Sequence, residues 1–349
     1  MSNRVPQLDA VRGIAILLVM LVNTSEKYPA LHLQRFVANG WMGVDLFFAL
    51  SGFLITGILL DARSSSHFFR NFYARRVLRI LPLYYSVLLF MFAAVPLVRP
   101  AYALMILARS SPWWAYPLFL QNFLVAQSTL AAGPLGVTWS VAIEEQFYLL
   151  WPLVVCWFSF KVLRRIAAIM ILVSPALTFY LYAHHVYTYS NVFCRQVGLM
   201  AGALLALLLC SANFAPAQYV KRGWLVFLVT ATLAFVSEAM GTRWLSFTLV
   251  ALAAASFIFL ALHAPQKWLQ ALLRNRFLIY TGTISYGLYL LHKIPADAAQ
   301  VLHLDRHPLL LLPFVFVASY ALAALSWNVL EKPFLRMKRF FPSSPTMQS

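Results

Sequence analysis

The chain has 349 residues, of which 62% are hydrophobic and 11% charged, against about 25% charged in an average soluble domain. That shortage of charge excludes a single soluble globule, and the hydrophobicity excludes a disordered chain; a polytopic membrane protein remains. The net charge of +17 would fit nucleic acid in a soluble protein. Here the basic residues fall in short connections between apolar runs, which is the positive-inside pattern, and no nucleic-acid partner is expected.

A span needs about 20 mostly apolar residues. Apolar runs between charged or Pro-rich breaks predict ten: 10–27, 41–60, 80–97, 139–160, 164–183, 193–210, 223–240, 243–262, 277–293 and 308–330. The fold class is therefore all-α, a membrane helix bundle of about ten transmembrane helices. The first run has no small-residue cleavage site and reads as a span, not a removable signal. Residues 98–138 form the longest connection, aromatic and rich in proline. With both termini in the cytoplasm, ten spans put most of the 27 Lys and Arg inside. An eleventh span within 98–138 would move Lys161, Arg164 and Arg165 outside, so this segment reads as an outer or re-entrant loop. Residues 1–335 are expected to form one integral membrane domain and 336–349 a cytoplasmic tail. Cys156, Cys194 and Cys210 lie in apolar runs with neither metal spacing nor a disulfide framework, and no metal is expected.

Ionisable groups inside a bilayer cost several kcal/mol by insertion scales and mark functional sites by default. Asn23, Asp45, Glu144, Glu145 and His292 stand out. At about 1.5 Å per residue, Asn23, Asp45, Glu144 and His292 all fall in the outer third of the bilayer, which predicts a shared cavity there. Glu144 and Glu145 point about 100° apart on a helix, so one of them faces it. Ser140, Glu144 and Tyr148 share a face, which favours Glu144. The competing readings are structural pairs between helices for the carboxylates and an interfacial position for His292. On the inner side, Arg75, Arg76 and Arg79 close the loop before the third span. Arginine forks suit phosphate groups, and plain positive-inside anchoring is the alternative. Trp113 and Trp114 fit either sugar stacking or the aromatic interface belt.

Several blocks together resemble the acyltransferase-3 family of integral membrane acyltransferases. They are Leu8-Asp9-Ala10-Val11-Arg12-Gly13-Ile14-Ala15, Gly43-Val44-Asp45-Leu46-Phe47-Phe48, Arg75-Arg76-Val77-Leu78-Arg79-Ile80-Leu81-Pro82, Thr138-Trp139-Ser140 through Glu144-Glu145-Gln146-Phe147-Tyr148, Ser285-Tyr286-Gly287-Leu288-Tyr289-Leu290-Leu291-His292, and Glu331-Lys332-Pro333-Phe334. The resemblance implies a ten-span bacterial inner-membrane enzyme that moves an acyl group, commonly acetyl, from cytoplasmic acyl-CoA to hydroxyls of cell-surface glycans or other acceptors. It implies donor contacts for Arg12, Arg75, Arg76 and Arg79. Substrate contacts are expected at Trp113, Trp114, Trp139 and Ser140, and catalysis among Asn23, Asp45, Glu144 and His292.

One departure is visible. The family's first span usually carries a histidine eleven residues after the motif arginine, and here that position is Asn23. An asparagine cannot be a general base, although it can hydrogen-bond an acyl carbonyl or an acceptor hydroxyl. Proton transfer then falls to another group, Glu144 or Asp45 first and His292 next. The alternative is a non-catalytic relative acting as scaffold or carrier. An acyl relay to a soluble esterase-like domain would need a partner chain.

Overall fold

A computed structural model describes residues 5–28, 37–99, 111–124, 134–211 and 214–342, without the side chains of Asp305 and Pro308. Among the described residues there is no strand. The main helices are α1 (Pro6–Lys27), α2 (Met42–Ala62), α3 (Phe68–Leu89), α4 (Thr138–Trp157), α5 (Phe160–Ala183), α6 (Val192–Leu209), α7 (Pro216–Ala239) and α8 (Arg243–His263). Shorter helices follow: α9 (Lys267–Leu273), α10 (Arg276–Thr283), α11 (Ser285–Leu291) and α12 (Lys293–Val301). The chain ends in α13 (Pro308–Ser326) and α14 (Lys332–Arg336). Among the described residues, eight helices are long and apolar enough to cross a membrane.

Two predicted spans look different in the structure. The one expected at 277–293 is broken at Ile284 into α10 and α11. The break follows Thr281-Gly282-Thr283-Ile284, a run of weak helix formers. The stretch before the third predicted span is no loop: Arg75, Arg76 and Arg79 lie inside α3, which starts at Phe68. Of the long connection, 100–110 and 125–133 lie outside the described residues. The rest holds a 3₁₀ turn at Trp113–Ala115, one helical turn at Gln121–Leu124 and a second 3₁₀ turn at Pro134–Val137.

The chain divides into two compact units. The first comprises Met1–Val19, Ala38–Gly57 and Phe147–Ser285. Its α5, α6, α7 and α8 pack on one another. Asparagines start two of its helices: the Asn191 side chain accepts from the Phe193 N–H at α6, and Asn275 accepts from Phe277 and Leu278 at α10, each satisfying an orphan donor of the first turn. Its core joins Leu8, Val11 and Ala15 of α1 with Leu46 and Leu50 of α2 and with Ile258 and Phe259 of α8.

Between α2 and α6 the backbones touch. A Cβ at Gly202 would overlap the Ala49 carbonyl, and one at Gly52 the Leu199 carbonyl. Without a hydrophobic force between helices in lipid, such close approach at small residues is a main source of association. Gly202→Leu is expected to cost about 1–3 kcal/mol by overpacking, read as a lower unfolding midpoint in detergent.

The second unit comprises Met20–Val37, Ile58–Gln146 and Tyr286–Ser349. Here α12 packs on α13, and α14 packs on α3. A small apolar cluster of Tyr28, Ala296, Ala299, Leu311 and Val315 lies beside the end of α1. That end is fixed to α12 by the Lys27–Asp297 ion pair and by the Tyr28 hydroxyl, which donates to the Ala296 carbonyl at 2.5 Å.

Candidate active site

The second unit holds His292, Asn23, Glu144, Glu145, Ser140 and the three arginines of α3. His292 follows the last residue of α11 and is 1% exposed. Its Nδ1 lies 3.1 Å from the Leu288 carbonyl and 2.9 Å from the Tyr289 carbonyl. A carbonyl only accepts, so Nδ1 carries the proton and donates to both. The neutral ring then keeps its lone pair on Nε2. That nitrogen is buried, and it has no hydrogen-bond partner among the described residues. The tautomer is thus set from the far side of the ring, and Nε2 is left as the acceptor.

The surroundings hold α11 on two sides. The Tyr286 hydroxyl donates to the Ile80 carbonyl of α3 at 2.9 Å. The Tyr289 hydroxyl lies 2.5 Å from Ser140 Oγ and donates to the Val137 carbonyl at 3.1 Å. Ser140 is thus occupied within the protein, and Trp139 beside it is buried. Neither side chain has an open face in this structure.

The described part of the long connection is tied down by side-chain amides. Gln121 Nε2 donates to the Thr138 carbonyl at 2.9 Å and to the Tyr84 hydroxyl at 3.1 Å. Gln146 Nε2 donates to the Phe119 carbonyl and to Asn122 Oδ1, both at 2.8 Å. Trp113 is 68% exposed and Trp114 44%. Trp113 lines an open, mainly apolar groove of about 930 Å³ with Tyr85, Leu88, Phe92 and Pro117.

Asn23 is half-buried on α1, one helical turn before Lys27, and Glu144 is half-buried on α4. Its neighbour Glu145 is the carboxylate with a buried oxygen, Oε1, that has no hydrogen-bond partner among the described residues. The charges closest to Glu145 are Glu144 and Arg76.

Asp45 is paired within the protein. It belongs to the first unit. There its Oδ2 accepts from Arg195 Nη2 at 3.0 Å, with both side chains fully buried. Four rings surround the guanidinium: Phe247 at 4.4 Å, Tyr189 at 5.2 Å, Trp41 at 5.5 Å and Phe48 at 5.8 Å from ring centre to Cζ. A carboxylate held this way is a structural partner rather than a base.

The arginines separate as well. Arg12 is in the first unit and pairs with Asp9 one turn earlier at 3.1 Å. Arg75 donates to the Phe341 carbonyl at 2.9 Å and weakly to that of Lys338 at 3.5 Å, while Asn71 donates to the Pro342 carbonyl at 2.9 Å. Arg76 lies over the Phe72 ring, and Arg79 is an electrostatic neighbour of Glu331. The pocket lined by Asn71, Phe72, Arg75, Arg76 and Pro342 has a volume of about 20 Å³, enough for a water and too little for a phosphate.

A family model described as an acyltransferase domain matches residues 5–328. The chain belongs to this acyltransferase family. Its curated relatives include a Bacillus subtilis protein named "Putative peptidoglycan O-acetyltransferase YrhL", 31% identical over 94% of this chain and 54% of that protein. The peptidoglycan O-acetyltransferase OatA of Listeria monocytogenes is 26% identical over 94% of this chain and 55% of its own length. The chain thus spans about half the length of the curated relatives it matches. No solved structure matches it.

The residues that sequence reading passed over are Tyr289, Gln121 and Gln146. Each is polar within an apolar stretch, which is a usable signal. Tyr and Gln are common enough near membrane interfaces that the signal is weak without coordinates.

Proposed function

We propose that this chain is a bacterial multi-pass membrane O-acyltransferase. It moves acetyl from acetyl-CoA to a hydroxyl of a cell-surface glycan, with His292 as general base. The carrying observation is the buried Nε2 of His292, left as the proton acceptor of the ring by the two carbonyls that hold Nδ1–H. Family membership and the names of the relatives support acetyl transfer to a glycan.

In this reading the acceptor O–H attacks the thioester carbonyl as Nε2 takes its proton. The C–S bond breaks, CoA leaves as the thiol after receiving that proton, and the acceptor keeps the acetyl ester. Asn23 supplies an amide N–H for the developing oxyanion. The acceptor's sugar ring rests in the Trp113 groove. The donor comes from the cytoplasm, where both termini lie. Its phosphates meet Arg75 and Arg76 once residues 337–342 have shifted off that pocket.

The non-catalytic alternative is favoured by one observation, Asn23 in place of the usual histidine. Expression in a bacterium lacking its own glycan O-acetyltransferases separates the two. The proposal predicts base-labile acetate on the glycan that disappears with His292→Gln. Equal acetate with vector, wild type and variant would refute it.

A further inference from the structure

We infer that Tyr289 is a positioning residue that fixes the tautomer and aim of His292 through its own two ends. This rests on the proposed role of His292. The phenol end of Tyr289 is locked to the start of α4, 2.5 Å from Ser140 Oγ and 3.1 Å from the Val137 carbonyl. Its backbone end supplies the nearer of the two carbonyls that hold His292 Nδ1, at 2.9 Å. The ring centroids of Tyr289 and His292 are 6.2 Å apart, with planes at 52°, so the phenol does not touch the imidazole as a stacking partner. The link between them runs through the backbone of α11.

The physical need for such a lock is plain. Helix α11 has seven residues, and an isolated helix that short is not stable. Its last carbonyls would be free to fray and to take other donors. A frayed Tyr289 carbonyl leaves His292 with one acceptor, already shared with its own backbone N–H, which donates to Leu288 O at 3.0 Å. The imidazole could then flip or move its proton to Nε2, and that tautomer has no lone pair for the substrate. Tying the Tyr289 ring to α4 holds the carbonyl in place. Tyr286, bonded to Ile80 of α3, secures the other end of the short helix. The inference also explains a buried Ser140 in a block otherwise read as substrate-binding: its hydroxyl serves the tyrosine.

Charged groups around the imidazole are Lys293, next in the chain, and beyond it Asp297, Lys27 and Glu26. The Tyr289 hydroxyl bonds instead to Ser140 and to the Val137 carbonyl. Removing that hydroxyl tests the lock.

The experiment uses full-length protein in nanodiscs with ¹⁵N-labelled histidine, the His292 signals being assigned by their loss in His292→Gln. The wild type is expected to show a single neutral form protonated on Nδ1. Tyr289→Phe leaves Ser140 bonded to the Val137 carbonyl and so preserves the local fold. It is expected to give a mixture of Nδ1–H and Nε2–H forms. In a transfer assay kcat is expected to fall about tenfold, with KM for acetyl-CoA changed less than twofold. Ser140→Ala should give the same mixture in smaller proportion. An unchanged Nδ1–H spectrum in Tyr289→Phe would overturn the inference. A changed spectrum in a chain that transfers no acetyl would uphold the lock and refute the proposed function, so the two fail separately.

Discussion

His292→Gln is expected to lower single-turnover acetyl transfer by about 10²–10⁴-fold, the usual contribution of a positioned general base. Glutamine keeps a polar side chain in the buried site but offers no nitrogen lone pair to take the acceptor's proton. The unfolding midpoint should fall modestly, because the bonds from Nδ1 to the Leu288 and Tyr289 carbonyls are lost, each worth about 0.5–1.5 kcal/mol. The measurement is CoA release after mixing with excess enzyme, beside a thermal melt of the same preparation. Full-rate release by His292→Gln would return the base to Glu144 or Glu145. Glu145 would come first, since its Oε1 is the buried oxygen without a partner among the described residues.

Asp45→Ala is expected to destabilise the protein by about 3–5 kcal/mol, because it strands the Arg195 guanidinium in a dry, aromatic setting. The four rings around Arg195 provide cation–π attraction, but they cannot replace an anion. Removing both charges, with Asp45→Leu and Arg195→Met together, should recover most of the loss, since a buried pair replaced by apolar groups is often neutral. Urea unfolding in detergent, followed by tryptophan fluorescence, reads both. A destabilised single variant rescued by the double one identifies the pair as a clamp between α2 and α6. A stable Asp45→Ala that had lost all transfer would instead restore Asp45 as a catalytic group.

These two residues show what the sequence could reveal. Both were visible as polar groups inside apolar runs, because the bilayer makes such groups costly. Depth along a span follows from helical rise, which is why the sequence predicts a common level for them. Their partners were not. Asp45 and Arg195 are 150 positions apart, and a cation inside the apolar run 193–210 reads equally well as a boundary. His292 looked interfacial because it ends a predicted span. What sets its tautomer is the pair of carbonyls at Nδ1, and backbone acceptors leave no mark in a sequence.

The same reasoning covers the fold. Long apolar helices are legible from hydropathy: ten are expected, and among the described residues eight are long and apolar enough to span, those at 139–160 and 277–293 not among them. The break at Ile284 was not foreseen, because overall hydropathy is unchanged there and only the weak helix formers Thr281 to Ile284 hint at it. The arginines of α3 were placed in a loop because charge was taken as the end of a helix. In the structure the helix begins at Phe68, with Phe68 and Phe72 buried, and carries the charges in its first turns.

The central claim is that the chain transfers acetyl with Asn23 in place of the family's usual histidine. The most direct measurement is transfer of label from acetyl-CoA to glycan fragments by the purified protein in nanodiscs, comparing wild type with Asn23→His. The account predicts that the wild type releases CoA and labels the glycan, and that the variant is not needed for turnover. Silence from the wild type together with turnover by Asn23→His would contradict it, and would make this chain a member whose first helix has lost the base.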